Sequence, residues 1–153
     1  MKFLEAKIPP PLLTIIFGLA VWGIATVLPG LDISRDIRLT ILIVMVAVGL
    51  VLTVSALLTF WKAKTTIDPN HLHKATTVVK HGIYKFSRNP MYLALLIYLT
   101  ALTIYMANLY ALPLPVLFVL YMNRFQIQPE ESMMTSLFGE AYLSYKNQVR
   151  RWI

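Results

Sequence analysis

The sequence predicts an all-α integral membrane protein with about four transmembrane helices and a C-terminal amphipathic helix at the membrane interface. Of its 153 residues, 58% are hydrophobic and 14% are charged, whereas soluble domains carry about 25% charged residues. Three long segments, 8–31, 39–61 and 89–123, contain no charged residue. The glycines are scattered and form no glycine-rich turn between a strand and a helix, so we expect no Rossmann domain.

The lengths of these uncharged segments set the expected number of spans. A transmembrane helix needs roughly 20 apolar residues, so the first two segments each provide one span. The third segment would be about 52 Å long as a single helix, which is too long for one span, and Asn108 followed by Pro113 and Pro115 offers a break. The expected spans in a single membrane domain over 1–153 are at about 10–30, 39–61, 90–107 and 110–125, with a loop over 62–89.

The first uncharged segment has one alternative interpretation, a signal peptide. Lys2 and Lys7 precede the apolar region, as they would in a signal peptide. No small-x-small cleavage pattern stands before Asp32, so a retained span is favoured.

The distribution of basic residues predicts the orientation in the membrane. Residues 62–88 hold six of the 14 Lys and Arg residues and one acid, and the tail from 124 holds four more. Short loops rich in Lys and Arg stay in the cytoplasm, so we expect both termini and the 62–89 loop to be cytoplasmic. Binding to anionic lipid headgroups fits this distribution. Nucleic-acid binding does not, because the basic residues are spread over span ends.

The C-terminal segment predicts an amphipathic helix over 129–150. Pro129 suits the first turn of a helix, and Glu130 and Glu131 stand where the helix dipole favours acids. Gly139 is expected to mark a break or a close packing contact. The apolar stripe consists of Met134, Leu137, Phe138, Ala141, Tyr142, Tyr145 and Val149, at the three- and four-residue steps of a helix.

Polar and aromatic residues concentrate at the ends of the predicted spans, which in membrane proteins usually indicates a polar ligand. Each residue alone has an ordinary explanation. Arg88, Asn89 and Pro90 could form a simple helix entry, with Asn as N-cap and Pro at the first position. Tyr84 and Tyr92 could be interfacial aromatics, and the two glutamates could serve the helix dipole alone.

Several kinds of site are not expected. The chain has no cysteine, which excludes thiolate chemistry and disulfides. His71, His73 and His81 have no carboxylate spaced to complete a metal site, so we expect no metal. No Ser-His-acid arrangement and no phosphate-binding loop can be identified.

The order of the polar elements is more specific than any one of them. The stretch Thr77-Val-Val-Lys-His-Gly-Ile-Tyr84 is followed by Arg88-Asn-Pro-Met-Tyr92, an apolar hairpin, Glu130-Glu131 and Phe138-Gly-Glu-Ala-Tyr142. This order resembles the isoprenylcysteine carboxyl methyltransferase and phospholipid methyltransferase group of integral membrane methyltransferases. The similarity runs from about 65 to 152. Those enzymes carry Arg-His-Pro-x-Tyr, and here Asn89 replaces the His, as in bacterial-type members.

The resemblance implies methyl transfer from S-adenosylmethionine to a lipophilic acceptor at the cytoplasmic face of a bacterial or archaeal membrane, with S-adenosylhomocysteine as product. Arg88 and Glu130 are the expected catalytic residues, Arg88 orienting an anionic acceptor or the cofactor carboxylate. The cofactor-binding residues that it implies are Thr76, Thr77, Val78, Val79, Tyr84, Asn89, Pro90, Met91, Tyr92 and Glu130.

The resemblance also implies two substrate positions, Arg124 and Gln126. Prenylcysteine enzymes have a substrate-binding arginine four residues before the first glutamate, and in this chain that position is Gln126. The difference argues against a prenylcysteine carboxylate as substrate. The alternative function is a non-catalytic membrane scaffold or lipid-binding protein of the same fold. Retention of Tyr84, Arg88, Tyr92 and Glu130, together with Pro90, favours the enzyme.

Overall fold

The computed structural model of the protein describes residues 7–63 and 77–153, and this part is helical, without strands. The all-α prediction is therefore confirmed. The helices are α1 (Pro10–Val27), α2 (Arg35–Ala63), α3 (Pro90–Met106), α4 (Pro113–Tyr121), α5 (Gln128–Phe138) and α6 (Glu140–Gln148). A π-helical segment, Met122–Ile127, joins α4 to α5 without interruption, and short 3-10 turns span Gly82–Lys85 and Leu109–Ala111.

Two helices of the described chain, α1 and α2, are long and apolar enough to cross a membrane, judged by length and composition. The next helix, α3, is also apolar but has 17 residues. Side chains along α2 are widely exposed, including Val51 at 65% and Trp61 at 76%. Such a large exposed apolar surface suits contact with lipid.

The helices pack around α3, which contacts α1, α2 and α4. Gly49 of α2 leaves room for the ring of Tyr98 of α3, since a Cβ there would overlap that ring. The Thr53 and Tyr98 hydroxyls lie 3.2 Å apart across the same interface. The apolar core shared by α1, α3, the Leu109–Ala111 turn, α4 and the π segment consists of Leu13, Val21, Leu99, Ala111, Phe118, Met122 and Ile127.

The turn between α3 and α4 is fastened to the connection between α1 and α2. Asn108 is buried, and its Nδ2 donates to the carbonyl oxygens of Leu28 at 3.0 Å and Pro29 at 3.3 Å. Its Oδ1 accepts from the Tyr110 N–H at 3.0 Å. These bonds satisfy the polar groups of a buried turn and hold this end of the helices together.

The predicted helix over 129–150 is divided at Gly139. This residue has φ 50° and ψ −127°, between the end of α5 and the start of α6. Only glycine adopts such a conformation readily, which explains the break. A Cβ at this position would meet no atom within 4 Å, so Gly139 serves the break and not a close contact.

Gly82 brings the loop before α3 against the end of α2. Its φ is +61°, and a Cβ there would lie 2.8 Å from the Thr59 Oγ1. The 3-10 turn that begins at Gly82 presents Tyr84 to α2, where its ring meets Phe60 edge-on with centroids 5.2 Å apart. The glycine thus determines where Tyr84 lies.

We expect Gly82→Ala to lower the free energy of unfolding by about 1–3 kcal/mol, because alanine disfavours this backbone conformation and its Cβ meets Thr59. Thermal denaturation in detergent measures the change. Gly23→Ala is the matched control, since a Cβ at Gly23 would meet nothing within 4 Å and alanine favours a helix. A Gly82→Ala protein as stable as the wild type would contradict the strain assigned to this turn.

Candidate functional site

The polar residues of the predicted site gather around a small apolar cluster where α2 ends and α3 begins. The cluster consists of Ala56, Val79, Tyr84, Tyr142 and Tyr145, all buried. The Tyr145 hydroxyl donates to the Tyr84 carbonyl oxygen at 2.7 Å, which ties α6 to the loop before α3. Burial raises the pKa of Tyr84 and of Tyr145, and it raises the pKa of Tyr142 to about 12. All three hydroxyls therefore stay protonated at neutral pH.

Glu130 binds neutral donors. Its Oε1 accepts from the Tyr92 hydroxyl at 2.6 Å and from the Gln126 Nε2 at 2.5 Å. None of the ion pairs formed by described residues includes this carboxylate. Burial raises the pKa of Glu130 to about 7, against the lowering effect of the two hydrogen bonds. This carboxylate is thus partly protonated at neutral pH, and no cation of the described residues pairs with it.

The π segment supplies one of these donors. Gln126 lies in it and is buried, four residues before the carboxylate that it binds. Single π turns within α-helices are frequent at functional sites. The extra residue in the turn shifts the register of the helix between α4 and α5, so the sequence position of Gln126 alone could not show which way its side chain points.

Glu131 has the opposite environment. It is 6% exposed, and Arg151 binds both its oxygens, with Nε to Oε1 and Nη2 to Oε2 both at 2.9 Å. Arg88 Nη2 lies 3.1 Å from Oε1 and Lys146 Nζ lies 3.3 Å from Oε2. Burial alone would raise the pKa of Glu131, but the hydrogen bonds from Arg151 and the three positive charges lower it. This carboxylate stays ionised.

Two neighbouring glutamates differ because adjacent residues of a helix point about 100° apart. Glu130 faces Tyr92 at the start of α3, and Glu131 faces Arg88 and the end of the chain. Sequence reasoning selected the first glutamate and missed the second. The one available signal was the group of basic residues in the tail, Lys146, Arg150 and Arg151, which has no spacing that identifies a partner.

The last residues of the chain cross this site. We call residues 149–152 the C-terminal strap. The Arg88 N–H donates to the Arg150 carbonyl oxygen at 3.0 Å, and the Asn89 Nδ2 donates to the Arg151 carbonyl oxygen at 2.9 Å. The Trp152 Nε1 donates to Asn123 Oδ1 at 3.0 Å. The strap therefore connects the start of α3 to the π segment.

The structure brings together one part of the predicted cofactor set. Tyr84, Tyr92 and Glu130 are near enough to influence one another electrostatically. Val79 belongs to the apolar cluster and Met91 packs against it. Their convergence, from four separate stretches of sequence, makes this cluster the candidate site.

The other predicted cofactor-binding residues that the structure describes are not among the buried members of this cluster. Asn89 precedes α3, yet its side chain bonds the strap and makes no capping bond to the helix, while Pro90 is buried at the first helical position. Thr77 is exposed and Val78 half-buried. Thr76 lies outside the described residues.

The two predicted substrate positions face different surroundings. Gln126 is buried beside Glu130. Arg124 is exposed, with its guanidinium 5.6 Å above the Phe125 ring, and it borders a shallow surface depression with Gln128 and Ser132. The structure therefore separates Arg124 from the buried polar network to which Gln126 belongs.

Arg88 retains unused hydrogen-bonding capacity. Its side chain is 9% exposed and binds Glu131 through Nη2. Its Nε and Nη1 are buried and make no hydrogen bond of good geometry to a described residue, although the Tyr142 hydroxyl lies close to the guanidinium. Buried donors are nearly always satisfied in proteins, so these two fit a ligand that brings an acceptor, such as a carboxylate or a phosphate.

The fold and the site define a helical protein with two helices of membrane-spanning length and a buried polar cluster where α2 ends and α3 begins. A family model described as phospholipid methyltransferase matches residues 37–141, which is more than half of the chain. The chain belongs to the phospholipid methyltransferase family. Membership places it in a class of methyltransferases that act on lipophilic substrates, and together with the two apolar helices it indicates a membrane protein.

A curated relative is also similar to part of the chain. An uncharacterized protein of Haemophilus influenzae is 44% identical over 63 residues, which are 41% of this chain and 100% of that protein. No solved structure shows significant similarity to the chain.

We expect Glu131→Gln to destabilise the protein by about 3 kcal/mol at pH 7, because it leaves the buried Arg88 guanidinium without its charged partner. The folded-state pKa of Glu131 is lowered, so its contribution is present above the ordinary glutamate value of about 4.3 and is lost as the pH falls through the lowered value. Thermal denaturation in detergent between pH 3 and pH 8 measures this as a melting-temperature difference that shrinks in acid. Glu140→Gln, at an exposed position, is the control, and equal losses in both variants would refute the role of Glu131.

Proposed function

We propose that the protein transfers a methyl group from S-adenosylmethionine to a lipophilic acceptor, such as a membrane lipid, at the cytoplasmic face of a bacterial or archaeal membrane. The observation that carries this proposal is the incomplete pairing of two charged side chains, Glu130 and Arg88, which both lie near Tyr142. Among the described residues, no cation pairs with the Glu130 carboxylate, and two donors of the Arg88 guanidinium have no hydrogen-bond partner. Glu130 suits a positively charged group and Arg88 suits a negatively charged one, so together they suit a ligand that carries both charges.

S-adenosylmethionine has the complementary groups. Its α-amino group and sulfonium are positive, its carboxylate is negative, and its ribose carries two hydroxyls. Glu130 would bind the ammonium or the ribose hydroxyls through charge-assisted hydrogen bonds. Arg88 would bind the carboxylate. The faces of Tyr84 and Tyr92 would pack against the adenine or the sulfonium.

The side chains around this site would orient the bound cofactor and exclude water. When bound, S-adenosylmethionine supplies an electrophilic methyl group on a positively charged sulfur, and an acceptor nucleophile takes it in one displacement. Phe60 and Met91 pack against the apolar cluster around Tyr84 and give the site a wall that excludes water. The hydrogen bonds from Tyr92 and Gln126 fix the Glu130 carboxylate, so that it is already in place when a ligand arrives.

The arrangement of the helices supports access from two directions. We propose four spans, formed by α1, α2, α3 and the continuous helix of α4 with the π segment, with both termini cytoplasmic. The Lys and Arg residues near the site support this orientation. A lipid acceptor would enter between the apolar helices, and the polar cofactor would enter from the cytoplasm.

Calorimetric binding of S-adenosylmethionine and S-adenosylhomocysteine to the detergent-purified protein tests this function. We expect micromolar affinity, weakened about tenfold to a hundredfold in Glu130→Gln, because a hydrogen bond to a charged group contributes about 1.5–3 kcal/mol. Tyr84→Leu should also weaken binding, because it keeps an apolar side chain but removes the aromatic face. The control Glu140→Gln should bind like the wild type.

Three results have distinct meanings. Unchanged affinity in Glu130→Gln and Tyr84→Leu would show that the cofactor binds elsewhere. Absence of binding to folded wild-type protein would overturn the proposed function and favour a non-catalytic scaffold. Binding that Glu130→Gln weakens would support the assigned site.

A further inference from the structure

We propose that Glu131 is a positioning residue that does not touch the cofactor but holds the Arg88 guanidinium so that its unused donors bind the cofactor carboxylate. The inference rests on the proposed function and assigns different tasks to the two adjacent glutamates. Arg151 and Lys146 take part because they share the same carboxylate.

The acceptor capacity of Glu131 is already used by the protein. An ionised carboxylate offers about four hydrogen-bond acceptor sites. Arg151 Nε and Arg88 Nη2 occupy Oε1, and Arg151 Nη2 and Lys146 Nζ occupy Oε2. A ligand ammonium or hydroxyl would have to displace one of these cations. Glu131 therefore lacks the free capacity that a direct ligand contact needs.

Arg88 depends on this carboxylate for its place. A buried guanidinium without a counter-charge is strongly unfavourable, and Glu131 is the carboxylate paired with Arg88 among the described residues. The backbone of Arg88 is held at the same time by the strap, through its N–H to the Arg150 carbonyl oxygen. The side chain and the main chain are thus fixed from two sides, and within the described part of the chain Nε and Nη1 have no hydrogen-bond partner.

The balance of charge favours an anionic ligand. Three cations, Arg88, Lys146 and Arg151, surround the single carboxylate of Glu131. The Arg151 guanidinium donates two parallel hydrogen bonds, one to each Glu131 carboxylate oxygen. This two-pronged geometry is the strongest for an arginine–carboxylate pair. Arg88 uses one nitrogen. Of these three cations, Arg88 is the one with buried donors that lack a hydrogen-bond partner among the described residues.

Two ligands that differ in one group test the inference. S-adenosylmethionine carries the carboxylate, and decarboxylated S-adenosylmethionine lacks it but keeps the ammonium, the sulfonium and the adenosine. Calorimetry measures both affinities for wild type, Arg88→Met, Glu131→Gln, the double variant and the control Glu140→Gln. We expect wild type and control to prefer the carboxylate-bearing ligand by about tenfold or more. Both single variants should lose this preference, and the double variant should lose no more.

The alternative results separate this inference from the proposed function. If Glu131→Gln weakens both ligands equally and the preference remains, Glu131 has only a structural role and the inference is wrong. If wild type binds both ligands equally well, the inference is wrong while the proposed function stands. If folded wild type binds neither ligand, both are wrong.

A second variant covers the case in which Glu131→Gln does not accumulate as folded protein. Arg151→Lys keeps the positive charge but removes the two-pronged bond that fixes Glu131. We expect its carboxylate preference to fall severalfold. A preference equal to that of the wild type would overturn the positioning role.

Discussion

The buried carboxylate of Glu131 is the interaction on which the rest of the site depends. Arg88 from the loop before α3, Lys146 from α6 and Arg151 from the C-terminal strap all bind it. One side chain of α5 thereby joins three segments that are distant in sequence. A buried carboxylate of this kind is tolerated because several cations and hydrogen bonds compensate its desolvation. Removing it would leave the side chains of Arg88, Lys146 and Arg151 without the carboxylate that they share.

The neighbouring Glu130 is suited to a ligand for the opposite reason. Its carboxylate accepts hydrogen bonds from Tyr92 and Gln126. No cation of the described residues neutralises its negative charge. Arg88 has the opposite charge. It pairs with Glu131 through one nitrogen, and its buried Nε and Nη1 have no hydrogen-bond acceptor among the described residues. The chain belongs to the phospholipid methyltransferase family, and methyl transfer would explain why these two side chains lie in the site. A zwitterionic methyl donor would satisfy both groups at once.

The sequence was informative about apolar segments and motif order, because both are local properties. Lack of charge over 8–31 and 39–61 predicted the two helices of membrane-spanning length, and Gly139 was expected to mark a break where α5 ends. The roles within the glutamate pair were not predictable, since they depend on which way each side chain points in the folded helix. The π turn before Gln126 and the contact of the strap with Arg88 also join distant residues, and no spacing in the sequence indicates them.

The asymmetry of the two glutamates can be measured most directly by NMR titration of protein labelled with carbon-13 at the glutamate side-chain carboxyl. Glu130→Gln and Glu131→Gln would assign the two signals in detergent. Glu130 is expected to titrate near pH 7, and Glu131 below the ordinary value of about 4.3. Addition of S-adenosylhomocysteine should lower the midpoint of Glu130, because its ammonium brings a positive charge. Two glutamates that titrate together at the ordinary value, and do not respond to the ligand, would contradict the division of roles.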